Sequence, residues 1–276
     1  MVIKTLLIAA SLMSSAALAF TDRNDIPSCS QGLPDDLVTT TAERELFVII
    51  DRTMSASLND RIMQETYGQI SRFIRPGDSI QIIQFSSYNK DGFTSIALKG
   101  KTDMPLSKDS RDEVRKSQLA KFDKCLKDQK RYFLAKTGFA LKDSFSAQEN
   151  TDFTEVLAAL RDISTQIVKN SNAKDKVVLL ISDMLENSAS TSFYQRGSVR
   201  TIDPKKEIDQ VIDRSELGDF AGARVYVMGA GLLPGGQSYV SSTKMNAIER
   251  FWSGYFSESN SDLRGFGKPL LLTQFQ

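Results

Sequence analysis

Two short runs of aliphatic and β-branched residues constrain the fold of this chain most strongly. They are residues 46–50 (LFVII) and 177–181 (VVLLI), and a carboxylate follows each run, Asp51 directly and Asp183 after one serine. A strand that is apolar on both faces is buried on both faces, which is typical of the central strands of an α/β sheet. The runs therefore predict such a sheet, with both carboxylates at its carboxyl edge.

The remaining segments alternate between helix and strand. Helical spacing covers 59–74, 107–142, 152–169, 205–212 and 243–256, and strand patterns cover 79–85, 93–98, 223–228 and 269–275. The short link between 79–85 and 93–98 predicts an antiparallel hairpin. The other crossovers are long enough for parallel pairing. We therefore expect a doubly wound, mostly parallel, Rossmann-like α/β sheet with helices on both faces and one antiparallel edge strand.

The N-terminus has the pattern of an export signal. Residues 1–19 (MVIKTLLIAASLMSSAALA) combine a lysine, an apolar run and small residues before Phe20, which predicts a secretory signal peptide. No second apolar run approaches the roughly 20 residues of a membrane helix, so no membrane insertion is expected. We therefore predict a periplasmic or secreted protein, with an N-terminal arm at 20–43 and one α/β domain at 44–276, elaborated by helices at 101–142.

The two cysteines, Cys29 and Cys125, lie in a chain with an export signal. Oxidation is expected outside the cytosol, and an even count favours one disulfide that ties the arm to the middle of the chain. Two buried free thiols are the alternative.

Charge and composition exclude several functions. Removal of residues 1–19 takes away Lys4 and no acid, so the net charge falls from +1 to zero. A neutral chain without a basic stripe argues against nucleic-acid binding. The chain has no histidine, which excludes Ser-His-Asp and Cys-His catalysis and imidazole zinc sites. Carboxylates, hydroxyls, lysines or a bound ion must carry the chemistry.

Oxygen-bearing side chains gather in three loops that follow predicted strands or begin a helix. The loops carry Asp51-x-Thr53-x-Ser55, then Thr151 to Thr154, then Ser182-Asp183. Carboxylates and hydroxyls suit a hard ion such as Mg²⁺, which keeps several waters. As simpler alternatives, Ser55 or Ser57 caps the next helix, Thr151 and Asp152 cap theirs, and a strand-terminal aspartate only makes a turn.

With these loops, the chain resembles a von Willebrand factor A domain that carries a metal-ion-dependent adhesion site. That family has Asp-x-Ser-x-Ser after its first strand, a threonine shortly before an Ala-Leu pair, and an aspartate after the following strand. Counting back from Ala159-Leu160 places the threonine at Thr154. Where the family commonly has glycine before this threonine and after the last aspartate, this chain has Phe153 and Met184. The resemblance covers about residues 45–275.

The resemblance implies a metal site formed by Asp51, Thr53, Ser55, Thr154 and Asp183. The ion would be Mg²⁺, or else Mn²⁺ or Ca²⁺, and a partner protein would donate a carboxylate to it. The implied function is an exported binding module in an envelope-associated assembly, and not an enzyme.

Other functions use the same residues. A metal-assisted hydrolase would need a general base, for which Glu186 or Lys176 are the candidates. A structural module with a degenerate metal site is a further alternative. A small-molecule pocket lined by Trp252, Tyr255 and Phe256 is less favoured, because aromatic residues at helical spacing are more often core. Lysines between 116 and 130 alternate with acids and predict a solvated helix face.

Overall fold

The computed structural model describes residues 23–39, 41–57, 60–87, 93–146, 153–232, 241–272 and 274, with only the backbone for 55–57. The predicted signal peptide lies outside these ranges, as do Thr151 and Asp152. No helix in the ranges described is long and apolar enough to cross a membrane.

Strands and helices alternate along the described part of the chain. The strands are β1 (Arg44–Asp51), β2 (Ser79–Phe85), β3 (Thr94–Lys101), β4 (Asp175–Ile181), β5 (Tyr194–Gln195), β6 (Ser198–Val199), β7 (Ala223–Met228) and β8 (Ser261–Phe266). The α-helices are α1 (Asp60–Phe73), α2 (Lys108–Asp112), α3 (Lys116–Ser146), α4 (Val156–Ile163), α5 (Pro204–Asp213) and α6 (Ser242–Glu258). A π-helical turn, Ser164–Val168, extends α4.

The main sheet has six strands in the order β3-β2-β1-β4-β7-β8. β3 is antiparallel to β2, and all other neighbours are parallel. The predicted doubly wound sheet and its antiparallel edge hairpin are therefore confirmed. Successive strands are added on one side of β1 up to β3 and on its other side from β4 onward. The crevice at such a switch point, here between β1 and β4, is where open α/β sheets bind ligands.

Helices cover both faces of the sheet. Alternate residues of β1 enter different cores: Phe47 and Ile49 pack with α4 and α6, whereas Val48 and Ile50 pack with α1 and α3. Full burial of one such side chain stabilises the folded state by about 1.5–3 kcal/mol. The helices on both faces therefore contribute to the stability of the fold. Trp252, Tyr255 and Phe256 are fully buried in the α4 and α6 core. They are core residues, as the helical spacing indicated.

One expectation about the C-terminal half is wrong, and one element was not predicted. The last strand is Ser261–Phe266 and not 269–275, because β8 is an edge strand whose charged Asp262 and Arg264 hide the usual apolar pattern. The apolar Leu270 and Leu271 instead pack against the α1 and α3 core. The small β5–β6 hairpin was not predicted, since two-residue strands leave no periodic pattern.

The N-terminal arm lies beside β3 and α3. Cys29 and Cys125 form a disulfide, as predicted. The Asp103 carboxylate accepts hydrogen bonds from the Cys29 amide and from the hydroxyls of Ser28 and Ser30, at 2.7–3.0 Å. The lysine-rich face of α3 is exposed, which agrees with the solvated helix face expected from the sequence.

Candidate metal site

Three loops meet at the carboxyl edge of the sheet, at the switch point between β1 and β4. Asp51 is the last residue of β1, Asp183 lies two residues after β4, and Thr154 lies in the segment that leads into α4. Because β1 and β4 are parallel neighbours, both carboxylates are at the same edge. Asp51 is fully buried and Asp183 is 8% exposed.

Hydrogen bonds fix the Asp51 carboxylate from both sides. Its Oδ1 accepts from the Thr53 amide at 2.9 Å and from the Thr53 hydroxyl at 2.6 Å. Its Oδ2 accepts from the Ser182 hydroxyl at 2.9 Å. Ser182 is the residue between β4 and Asp183, so this contact joins the first and third loops. Asp51 therefore holds the first loop against the third.

Thr154 joins the second loop to both others. Its Oγ1 lies 2.9 Å from Thr53 Oγ1. Its backbone pairs with Asn187, with the Thr154 amide donating to the Asn187 carbonyl at 3.0 Å and the Asn187 amide donating to the Thr154 carbonyl at 2.9 Å. This antiparallel bridge ties the segment before α4 to the loop after β4. The threonine hydroxyl is consequently held next to the first loop.

The two carboxylates are in an environment that disfavours two negative charges. Burial raises the pKa of Asp51 to about 6, although hydrogen bonds from Thr53 and Ser182 oppose this shift. Burial and then repulsion from Asp51 raise the pKa of Asp183 well above its usual range. A cation between the carboxylates would reverse both effects, because an opposite charge favours the ionised form.

The residue after Asp183 adopts a backbone conformation that favours glycine. Met184 has φ of +61°, a left-handed conformation that costs a residue with a side chain about 1–2 kcal/mol. The side chain is fully buried in the α4 and α6 core, and Trp252 Nε1 donates to the Met184 carbonyl at 2.9 Å. Packing and this hydrogen bond offset the strain, so Met184 holds a left-handed conformation that otherwise favours glycine.

A neighbouring glycine is required for close approach. Gly229, just after β7, has φ of +95°, and a Cβ there would lie 3.0 Å from Met54 Cε and 3.1 Å from the Ser182 carbonyl oxygen. The segment after β7 is therefore a tight turn that packs against Met54 of the first loop and Ser182 of the third.

The structure brings together the side chains of Asp51, Thr53, Thr154 and Asp183. Ser55 lies in the 3-10 turn Arg52–Ser57, directly after Asp51, and only its backbone is described. In the part of the chain that the structure describes, no three acids, cysteines or histidines gather into a metal-binding group. An ion at this edge would thus depend on hydroxyl oxygens in addition to the two carboxylates.

Sequence reasoning named Ser182 in the third loop and Glu186 as a candidate base but missed their structural roles, and it missed Tyr194 entirely. Ser182 bridges to Asp51, and the buried Glu186 accepts from the Leu157 amide at 2.9 Å, which fixes the start of α4. Burial and the charges of Asp183 and Asp51 raise the pKa of the Tyr194 phenol, so this side chain is within electrostatic range of both acids. The adjacency of Ser182 to Asp183 was the one available signal, since the other contacts join loops far apart in sequence.

The residues considered for a hydrolase are arranged unfavourably. Lys176 lies opposite Glu45 in the β1–β4 register, at the amino end of β4 and therefore at the opposite end from Asp183. The Glu186 carboxylate is engaged by the Leu157 amide and by Ser188. Neither candidate base therefore projects freely into the crevice.

No protein-family model matches this chain, and no curated protein matches it either. Among solved structures, it is similar to the pilus adhesin SpaC from Lactobacillus rhamnosus GG, with 11% identity over 79% of this chain and a TM-score of 0.39. It spans only 27% of the length of SpaC.

Two further structures are similar over most of both chains. BatB from Bacteroides thetaiotaomicron has 12% identity over 81% of this chain and 90% of its own, with a TM-score of 0.37. The vWF domain of the type V pili tip protein Mfa5 from Porphyromonas gingivalis has 10% identity over 82% of this chain and 91% of its own, with a TM-score of 0.36. Identity and TM-score are low in all three cases, so the proposals below rest on the residues of this chain.

Proposed function

We propose that this chain is an exported protein-binding module that holds a divalent cation at the crevice between β1 and β4 and recruits an acidic side chain of a partner. The observation that carries the proposal is the convergence of Asp51, Thr53, Thr154 and Asp183 at the switch point. The disulfide between Cys29 and Cys125 supports export, because such bonds persist in oxidising compartments.

The donor set fits Mg²⁺, with Mn²⁺ or Ca²⁺ as alternatives. All donors are oxygens, two from carboxylates and the rest from hydroxyls, which is the ligand chemistry of hard cations. Ser55, which follows Asp51 in the first loop, would add a third hydroxyl. Such an ion keeps water ligands that a carboxylate can replace. The cation would supply the attraction for an acidic group, since the mature chain has no net charge to attract it over distance.

Titration with Mg²⁺ or Mn²⁺ tests this function, with calorimetry and thermal unfolding as the measurements. We expect stabilisation of about 2.7 kcal/mol at an ion concentration 100 times the dissociation constant. Asp51→Asn should abolish it, because the amide removes one of the two charges that hold the ion. Asp175→Asn is a matched control, since Asp175 pairs with Arg224 at the amino end of β4.

Water proton relaxation of the Mn²⁺-loaded protein tests whether a carboxylate replaces water on the ion. Acetate should lower the relaxation enhancement by displacing water from the ion. An absence of any stabilisation by divalent ions would instead identify a structural module with a degenerate site. Ion binding without an acetate effect would retain the metal site and reject recruitment through a carboxylate.

Thr154→Val should weaken Mg²⁺ binding by about tenfold, the effect of losing about 1.4 kcal/mol. The substitution preserves side-chain shape but removes the hydroxyl that lies 2.9 Å from Thr53 Oγ1. Thr154→Ser should bind the ion nearly as well as the original protein, because it restores the oxygen. Equal affinities for all three proteins, measured by calorimetry, would remove Thr154 from the ligand set.

A further inference from the structure

A second cavity lies at the opposite end of the sheet from the candidate metal site. Its volume is about 690 Å³, and Glu45 at the start of β1 and Ser79 at the start of β2 line its floor. Ligand pockets are commonly about 300–1,000 Å³. Glu45 is six residues from Asp51 along β1, or about 20 Å at the usual rise of a strand. The cavity is therefore separate from the crevice at the carboxyl edge.

The floor of this cavity is a polar patch on an otherwise apolar sheet face. Its five members share the α4 side of the sheet and are neighbours in register: Gln81 pairs with Lys99, and Ser79 pairs with both Lys101 and Glu45. Gln81 Nε2 donates to Glu45 Oε1 at 3.0 Å. Polar side chains on a sheet face are costly where a helix must pack on them. Glu45, Ser79 and Gln81 are only 8%, 9% and 6% exposed, and Glu45 also accepts from the Ser171 hydroxyl, so hydrogen bonds within the protein hold this floor in place.

Two different segments form the walls. On one side the cavity is lined by Arg23 and Asn24 of the N-terminal arm, and on the other by Gln166 of the π-helical turn and by Asn170. π-Helical turns occur frequently at functional sites. A smaller cavity of about 200 Å³ shares Gln166 and Ile167 and is also lined by Thr94 at the start of β3. Gln166 and Asn170 thus place amide side chains along one wall of the larger cavity, next to the apolar Ile167.

Hydrogen bonds to β3 hold the wall that the N-terminal arm forms. The Asp25 amide donates to the Lys99 carbonyl at 2.8 Å, and the Lys99 amide donates to Asp25 Oδ2 at 3.0 Å. Ile26 fills the space beside Gly100, and the disulfide at Cys29 fixes the following residues. A preformed wall lowers the entropic cost of binding.

Three cations, Arg23, Lys99 and Lys101, line the groove together with the buried Glu45 carboxylate. Arg23 is paired with Asp25, and the Lys101 ammonium donates to the Thr39 carbonyl. The half-buried Lys99 forms no ion pair within the described ranges. Lys99 and Lys101 are two residues apart on one face of β3, or about 6.6 Å. Alternate side chains of an extended peptide have the same spacing.

From these observations we propose that the groove between the arm, β3 and the π-helical turn binds an extended acidic peptide. Alternate carboxylates of the peptide lie along Lys99 and Lys101, and the amide side chains of Gln166 and Asn170 bond to its main chain. Binding needs no divalent ion, so the groove recognises acidic segments independently of the site at Asp51.

Fluorescence anisotropy of the exported chain with a labelled hexapeptide of alternating Asp and Ala, in the presence of a chelator, tests this proposal. The matched neutral probe alternates Asn and Ala. We expect the acidic probe to bind more tightly than the neutral probe, and Lys99→Gln to weaken it by about fivefold, the effect of one partly exposed ion pair. Lys99→Arg should retain binding. The control Lys205→Gln, at an exposed lysine on α5, should leave it unchanged.

Three results would overturn the groove as a peptide site. These are equal affinity for the two probes, equal affinity of the original chain and Lys99→Gln, and loss of acidic-probe binding when chelator is added. The third result would move acidic recognition to the ion at Asp51 and so favour the proposed function. If divalent ions do not stabilise the protein, the proposed function fails, but binding of the acidic probe in the presence of chelator would still support the groove. Circular dichroism melts of each variant check that folding is retained.

Discussion

Trp252→Ala is expected to lower the free energy of unfolding by about 3–5 kcal/mol, the usual cost of removing a large aromatic side chain from a core. Trp252 is fully buried, with ring contacts to Phe193, Phe251, Tyr255 and Phe256 at centroid distances of 5.0–6.5 Å. Urea unfolding followed by circular dichroism measures the change. Fluorescence is unsuitable, because the substitution removes the one tryptophan of the chain.

The same residue links the core to the candidate metal site. Trp252 Nε1 donates to the carbonyl of Met184, the residue that follows Asp183 in a left-handed conformation. Trp252→Phe keeps most of the ring but leaves this buried carbonyl without its donor, which costs about 1–3 kcal/mol. We therefore expect weaker Mg²⁺ binding as well as lower stability.

Phe256→Leu is the control for that link, because Phe256 belongs to the same aromatic cluster but does not bond to Met184. It should lower stability and leave Mg²⁺ affinity unchanged. If Trp252→Phe and Phe256→Leu change ion affinity equally, Trp252 supports the fold alone and has no specific effect on the Asp183 loop.

Strand patterns predicted the centre of the sheet because burial on both faces leaves a continuous apolar run. β1 and β4 were recognised in this way, and with them the positions of Asp51 and Asp183. Edge strands lack this pattern. β8 contains Asp262 and Arg264 on its exposed side, and the apolar residues that follow it cover a helix-lined core instead. The last strand was therefore predicted at 269–275 and not at Ser261–Phe266, where it lies.

The site was predictable as far as its residues lie next to strand ends. Thr154 was placed by its distance from Ala159-Leu160, and its hydroxyl indeed lies beside Thr53. Glu186 and Tyr194 were not predictable, because their roles depend on a loop that folds back over α4 and pairs Asn187 with Thr154. The groove at the amino end was hidden for a similar reason. Its polar floor joins residues from three strands and becomes visible only once their register is known.

The buried acids near the crevice determine how stability changes with pH. Burial raises the pKa of Glu186 from 4.5 to about 8, and the charges of Glu216 and Glu155 act in the same direction, whereas the Leu157 amide and Ser188 oppose it. Burial raises the pKa of Asp51 to about 6, and Asp183 is raised too. In the unfolded chain these groups lose their protons at lower pH than in the folded protein.

The free energy of unfolding should therefore fall as pH rises from about 4.5 to about 8 in the presence of a chelator, because the folded state binds more protons over this range. Each unit of pKa shift corresponds to about 1.4 kcal/mol, so Glu186 alone accounts for about 3–5 kcal/mol. Urea unfolding at several pH values measures this slope.

Glu186→Gln should flatten the slope and make the variant more stable than the original protein at pH 8, because its amide stays neutral and its oxygen can still accept from Leu157. Glu258→Gln, at an exposed position on α6, should leave the slope unchanged. Saturating Mg²⁺ should remove the part of the slope that comes from Asp51 and Asp183, since the ion stabilises their charged forms, and leave the part that comes from Glu186. Stability that rises between pH 5 and 8 in chelator, or a Glu186→Gln curve parallel to that of the original protein, would contradict this account of the buried acids.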